Sequence, residues 1–192
     1  MTTALNAIAF KAHTHTKHRF QNLYGQLRAD ALYRAWAHLN KQSAAGIDGV
    51  TTQQFEQRLP ENIHMLAQQL KSRQYRVDDI KRVYIPKANG KERPLGLPTV
   101  ADKVVQQSVS ELLQSIWEHD FVPNSYGYRP HKSAHQAIHS LQLNLQFKGY
   151  GYIVEADIKG FFDHMDHTWL MRMLKQRIDD RPLLNLINQW LK

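Results

Sequence analysis

Three stretches of this chain carry side chains that could do chemistry. In "GYIVEADIKGFFDHMDHTWL" an apolar run, Tyr152-Ile153-Val154, climbs to Asp157, and Phe161 and Phe162 follow. A carboxylate closing an apolar strand is costly to desolvate, and a divalent cation offsets that cost best. On a strand Glu155 shares the face of Asp157, while Ala156 points the other way. A phosphoryl-transfer site holds two Mg²⁺ ions about 3.5–4 Å apart and needs at least two well-fixed carboxylates. The two phenylalanines are placed to give flat walls beside a bound nucleotide. "DHMDH" has two readings. Asp163, His164, Asp166 and His167 are either a metal cluster or, more simply, a turn and a helix cap.

The second stretch is "IKRVYIPKANGKERPLGLP", in which Lys81, Arg82, Lys87, Lys91 and Arg93 flank an Asn89-Gly90 hairpin turn. A basic ribbon can fold over a triphosphate, with Lys as a point charge and Arg as a bidentate fork. It can equally be a solvated hairpin whose lysines guard an edge strand. The third stretch, "NSYGYRP", sets Tyr126, Tyr128 and Arg129 beside Gly127 and Pro130. Aromatic faces next to a guanidinium suit a nucleic-acid strand, and tyrosines buried in a structured turn are the alternative.

The elements that must position these groups follow from periodicity. Leu23, Leu27, Ala31, Ala35 and Leu39 predict an amphipathic helix from Phe20 to about Lys41. Gly46 and Gly49 bracket a tight turn, and Thr51 caps the next helix. Pro60 opens a further helix carrying Ile63, Leu66 and Leu70. Ile80, Arg82 and Tyr84 alternate with Lys81, Val83 and Ile85, as in a strand. Thr99 caps a helix to about Trp117, and another runs from about Ser133 to Leu145. The run to Asp157 reads as a strand. Asp166 caps one more helix, and Asp180 with Pro182 opens the last. The pattern is α+β and mostly helical, with few strands.

Composition narrows the options. The 192 residues suffice for one sizeable core or two small lobes, and 25 Lys+Arg against 17 Asp+Glu give a net charge of +8, which fits a polyanionic partner. Without cysteine there are no disulfides or Cys-based zinc sites. No apolar run reaches the ~18–20 residues of a membrane span, so a cytoplasmic protein is the expectation. Residues 1–19, with His13, His15 and His18 among Lys11, Lys17 and Arg19, read as a basic, poorly ordered arm.

The stretches "AAGIDGVT", "RVYIPKANGKERPLGLPTVADKVVQQ", "DFVPNSYGYRPHKSAHQAI" and "YIVEADIKGFFDHMDH" together resemble the N-terminal half of a group II intron-type reverse transcriptase, over about residues 20–192. The resemblance implies a right-hand polymerase with helical fingers at 20–140, containing the β-hairpin, and the first part of the palm at 141–192. It makes Asp157 the first catalytic carboxylate, with the Ile158 carbonyl assisting metal coordination. It places Phe162 under the incoming sugar, with Phe161 beside it, and gives Lys87 and Arg93 the triphosphate. Arg129, Tyr126, Tyr128 and Lys91 fall to the RNA template. The implied cofactor is Mg²⁺, and the implied partners are RNA, a DNA primer and dNTPs.

The family's Pro-Gln-Gly and Tyr-Ala-Asp-Asp motifs do not occur in this sequence. Asp157 alone does not assemble a two-metal clamp, so the expectation is a fingers-and-partial-palm chain inactive on its own. The alternatives are an RNA-binding, maturase-like module or half of a split enzyme. An unpaired palm strand would expose an edge, which predicts self-association or pairing with a complementing half.

Overall fold

The computed structural model describes residues 3–86, 90 and 92–191. About half of the chain is α-helical, and a single antiparallel hairpin supplies the strands among the described residues, so the class is α+β as the periodicity indicates. The helices are α1 (Thr3–Thr14), α2 (Ala29–His38), α3 (Thr52–Gln57), α4 (Leu59–Lys71), α5 (Val100–Trp117), α6 (Ala134–Phe147), α7 (His167–Arg177) and α8 (Arg181–Trp190). The strands are β1 (Lys81–Pro86) and β2 (Glu92–Leu97). They fall into two compact units, Arg19–Gln114 with Leu174–Lys192, and Met1–His18 with Ser115–Met173.

The first unit holds most of the buried apolar side chains. Leu32, Ala35, Ile63, Val100, Val104, Val105, Ile178 and Leu183 are fully buried, with Leu23, Leu27, Leu66, Leu70, Val109 and Leu186 close behind. Each fully buried Val, Leu or Ile contributes about 1.5–3 kcal/mol relative to exposure. The helices begin where side chains can satisfy their free N–H groups. Thr51 and Gln54 form a reciprocal capping box on α3, and Pro60 sits in the first turn of α4. The Thr99 hydroxyl accepts from the Asp102 N–H at 3.2 Å on α5, and Asp180 accepts from the Leu183 N–H at 3.0 Å on α8.

The helix expected from Phe20 to Lys41 is shorter. Asn22 adopts a left-handed φ of 56°, a 3-10 turn occupies Tyr24–Gln26, and α2 starts at Ala29. Phe20 is drawn instead into a parallel bridge with Ile178, its N–H donating to the Arg177 carbonyl and its carbonyl accepting from Asp179, both at 2.7 Å. The every-fourth-residue pattern survives because Leu23, Leu27, Ala31 and Ala35 are still buried. Periodicity reports the buried side and not the backbone that delivers it.

The turn bracketed by Gly46 and Gly49 forms as the glycines indicate. A Cβ on Gly46 would lie 2.6 Å from the Thr99 backbone, and Gly49 takes a φ of 71°. Two lysines pin the approach to this turn. Lys103 donates to the Ala44 carbonyl and, at 3.4 Å, to the Ser43 hydroxyl. Lys41 donates to the Trp36 carbonyl and lies 3.7 Å from the centre of its ring. Burial draws both ammonium groups below their ordinary pKa.

In the second unit α1 replaces the expected loose arm. The Ala-rich run Thr3–Thr14 is a good helix former, Leu5 and Ala12 lie seven apart on one buried face, and Lys11 and His13 complement the C-terminal end of the helix dipole. Ser133 and Gln136 cap α6 as a second capping box, yet no described residue of α6 is buried. Asp166 caps α7 through the Trp169 and Thr168 N–H groups at 3.1 and 2.7 Å, which hold its carboxyl below the ordinary value.

The strand expected at 152–157 is a correction. Residues 151–158 carry no regular secondary structure and are all exposed, Tyr152 and Val154 by more than four-fifths. A strand is stabilised by a ladder partner, and fixing an unpaired backbone costs about 1–2 kcal/mol per residue. β1 and β2 satisfy only each other.

Candidate nucleic-acid interface

The hairpin is built up from its base. Tyr75 is buried and its hydroxyl donates to Asp102 Oδ1, while the Asp78 N–H donates to Asp102 Oδ2 at 3.1 Å. The Thr99 hydroxyl donates to Asp78 Oδ2 at 3.2 Å, closing the network over the start of α5. Burial, then the neighbouring Asp102 carboxylate, pushes the Tyr75 hydroxyl far up. Burial also raises Asp102, against the stabilising pull of the Tyr75 and Asp78 donors. An acid in the first turn of α5 is further favoured by the helix dipole. This fully engaged network fixes residues 75–78 just ahead of β1.

From that base β1 and β2 pair with Lys81 opposite Leu97, Arg82 opposite Gly96, Tyr84 opposite Pro94 and Arg93 opposite Ile85. Directly paired residues share a face, so Arg82 and Tyr84 line one side and Lys81 and Arg93 the other. Lys81, Arg82 and Arg93 are all exposed. Gly90 takes the left-handed φ of 76° that a tight tip requires. Lys87 and Lys91 lie outside the described residues, as does Asn89.

The remaining candidates belong to the other unit. Arg129 is turned inward and only 8% of its side chain is exposed. Its Nη2 and Nε donate to Glu118 Oε1 at 2.7 and 3.1 Å, and Nη1 reaches the Val122 and Ser125 carbonyls at 2.9 and 2.8 Å. The guanidinium is therefore engaged in clamping its own loop to the end of α5. That clamp presents Tyr128, which is 96% exposed at a left-handed φ of 55°. Tyr126 is half-buried with the Lys132 ammonium 5.3 Å from its ring centre. Nothing in the sequence marks Glu118 as the partner of Arg129, since the two are eleven residues apart across a loop.

Asp157 and Ile158 sit in the exposed segment, and Phe161 and Phe162 meet edge to face at 5.3 Å. "DHMDH" resolves into the turn and cap of the simpler reading. His164 donates its backbone N–H to the Gly160 carbonyl at 3.0 Å, and Asp166 caps α7. Among the described residues no group of three or more His, Asp or Glu is placed to hold a metal ion.

Residues 85–192 match the family model described as reverse transcriptase (RNA-dependent DNA polymerase). Protein YkfC of Escherichia coli strain K12 is 37% identical over 77% of this chain and 39% of its own length. Group II intron-encoded protein LtrA of Lactococcus lactis is 37% identical over 90% of this chain and 29% of its own length. Nuclear intron maturase 1, mitochondrial, of Arabidopsis thaliana is 32% identical over half of this chain and 13% of its own. The chain belongs to the reverse transcriptase family, in its group II intron type. It spans under two-fifths of the length of these relatives. No described helix is long and apolar enough to cross a membrane.

Proposed function

We propose that this chain is the part of an RNA-directed DNA polymerase that engages the RNA template and the incoming dNTP, with residues 20–140 as fingers and 141–192 as the first part of the palm. The observation that carries the reading is the basic hairpin. Lys81 and Arg93 are exposed on one face and Arg82 on the other, while its base is locked by the Tyr75–Asp102–Asp78 network. Exposed cations on a fixed base supply phosphate contacts without ordering a whole loop on binding.

In this reading Arg93, with Lys87, meets the triphosphate, and Arg82 and Lys91 add charge along the ribbon. Tyr128 offers a stacking face to a template base, with Tyr126 and Arg129 holding its loop in place. Phe161 and Phe162 flank the nucleotide sugar. Asp157, assisted by the Ile158 carbonyl, supplies one carboxylate toward Mg²⁺, and the DNA primer lies against the palm. One carboxylate does not complete the site, so the chain alone binds without polymerising. A primer-extension assay with an RNA template, a DNA primer, dNTPs and Mg²⁺ checks this. The expected outcome is no extension, and robust incorporation by the purified chain overturns it.

A second reading is favoured by the net charge of +8. As an RNA-binding, maturase-like module the chain would grip structured RNA without any nucleotide chemistry. Template-primer duplex and structured RNA of equal length then compete differently. Preference for the duplex supports the polymerase reading, and preference for the folded RNA supports the module. Pairing with a complementing half, or with a second copy, is the proposal for the exposed apolar segment 152–162, and light scattering at high concentration tests the second copy.

A further inference from the structure

The unit of Arg19–Gln114 with Leu174–Lys192 carries a cleft that shares no residue with β1 or β2, although Tyr75 of the network at the hairpin base lines its smaller part. Its main part has a volume of about 880 Å³ and a neighbouring smaller part about 380 Å³, and Tyr24, Arg73, Arg181 and Pro182 line both. Arg28, Lys71, Arg73, Arg76 and Arg181 line it, drawn from the start of α2, the end of α4 and the start of α8. We infer that this groove is a second RNA site that holds consecutive backbone phosphates of a single strand, with Tyr24 as a stacking face.

Two carboxylates line the groove, and both are engaged. Asp180 accepts from the Leu183 and Tyr24 N–H groups, each at 3.0 Å. Asp179 pairs with Arg19 at 3.3 Å and accepts from Gln21 at 2.9 Å. Arg28 pairs with the exposed Asp30 at 3.6 Å. Among the described residues no acid pairs with Lys71, Arg73 or Arg181. The Arg73 and Arg76 charges both bear on the Tyr24 hydroxyl, where they oppose the upward pull of burial.

Local stability argues for different residues at several of these positions. Arg73 follows the α4 C-cap with a φ of 59°, a place where glycine is strongly preferred. Asn22, also lining the cleft, is a second left-handed non-glycine residue. Arg181 puts a cation in the first turn of α8, against the helix dipole. Cations clustered beside acids that are already engaged elsewhere repel one another. These unfavourable choices meet in one groove, and a bound polyanion would relieve the electrostatic ones together.

The inference rests on the RNA-binding reading above, and its test separates the two. The double variant Arg73→Gly/Arg181→Glu removes two of the groove's cations while suiting the local backbone and the helix dipole. Its thermal midpoint is therefore expected to equal or exceed that of the unchanged chain. With a fluorescent oligouridylate of about 12 nucleotides as probe, anisotropy is expected to show affinity reduced about tenfold or more. The log–log salt slope should become shallower by about 1.4, two contacts at about 0.7 each. Unchanged affinity and slope in this variant, with binding lost in Arg82→Ser/Arg93→Ser, overturn the groove and leave the hairpin reading standing. No binding by the unchanged chain overturns both. If the double variant loses polyglutamate binding but keeps the oligouridylate, the groove serves an acidic protein surface and the RNA assignment is overturned.

Discussion

The two units are built from similar residues and end in opposite states. In the unit of Arg19–Gln114 with Leu174–Lys192, α2, α4, α5 and α8 bury their apolar stripes almost completely. In the other, Ile138, Leu141, Leu143 and Phe147 of α6 are between 44% and 72% exposed, and Tyr152, Ile153 and Val154 of the next segment even more so as a group. Both α3 and α6 begin with a complete capping box. Caps and propensity therefore do not explain the difference. What α6 and the segment after it lack within the described residues is a packing partner, and a helix or strand is held mainly by what covers its apolar face.

The largest expected contrast comes from deleting core methylenes. Ile63→Ala should destabilise the chain by about 3 kcal/mol, whereas Ile138→Ala should change it by about 0.5 kcal/mol or less. Urea unfolding of both variants measures this, and equal losses would dissolve the contrast. Next is Gly46→Ala, whose Cβ would meet the Thr99 and Pro98 backbone at 2.6–2.8 Å. An overpacked contact of that kind is expected to cost about 2 kcal/mol. Gly25→Ala is the control, because no atom lies within 4 Å of its Cβ position.

A pH titration sharpens the comparison at the hairpin base. Because the folded pKa of Asp102 is raised, the folded chain binds more proton there than the unfolded chain. Its contribution to stability is full below the unfolded carboxylate pKa and is lost as pH rises through the folded value. Asp102→Asn removes that dependence. Stability of the unchanged chain relative to the variant should therefore fall as pH rises across that window, and a difference flat with pH would contradict it. The smallest effect is in the caps. Thr51→Ala and Ser133→Ala should each cost their helix about 1 kcal/mol. Only the former should shift the global transition, while the latter raises hydrogen exchange within α6 alone.

Much of the well-packed unit was legible in the sequence because its signals are local. Thr51, Pro60, Thr99 and Asp180 act on N–H groups within a few residues, and the alternation at 80–85 with Gly90 specifies a hairpin from adjacent chain. Two features escaped because they depend on distant chain. The apolar run before Asp157 has the composition of a strand, but a strand also needs a neighbour to bond with. Arg129 has the composition of a phosphate ligand, but Glu118 reaches it first. The groove cations were invisible for the same reason, coming from residues 28, 71–76 and 181. The N-terminal helix was different. Its histidines and lysines indicate a loose basic arm, whereas the alanines among them favour the helix Thr3–Thr14 that forms.

The most direct test of the account is an anisotropy titration of the purified chain against a labelled RNA template–DNA primer duplex, repeated with Arg82→Ser/Arg93→Ser. The account predicts saturable binding that weakens steeply with salt and is markedly reduced in the hairpin variant. Binding that ignores both salt and the two arginines, or no binding at all, would contradict it.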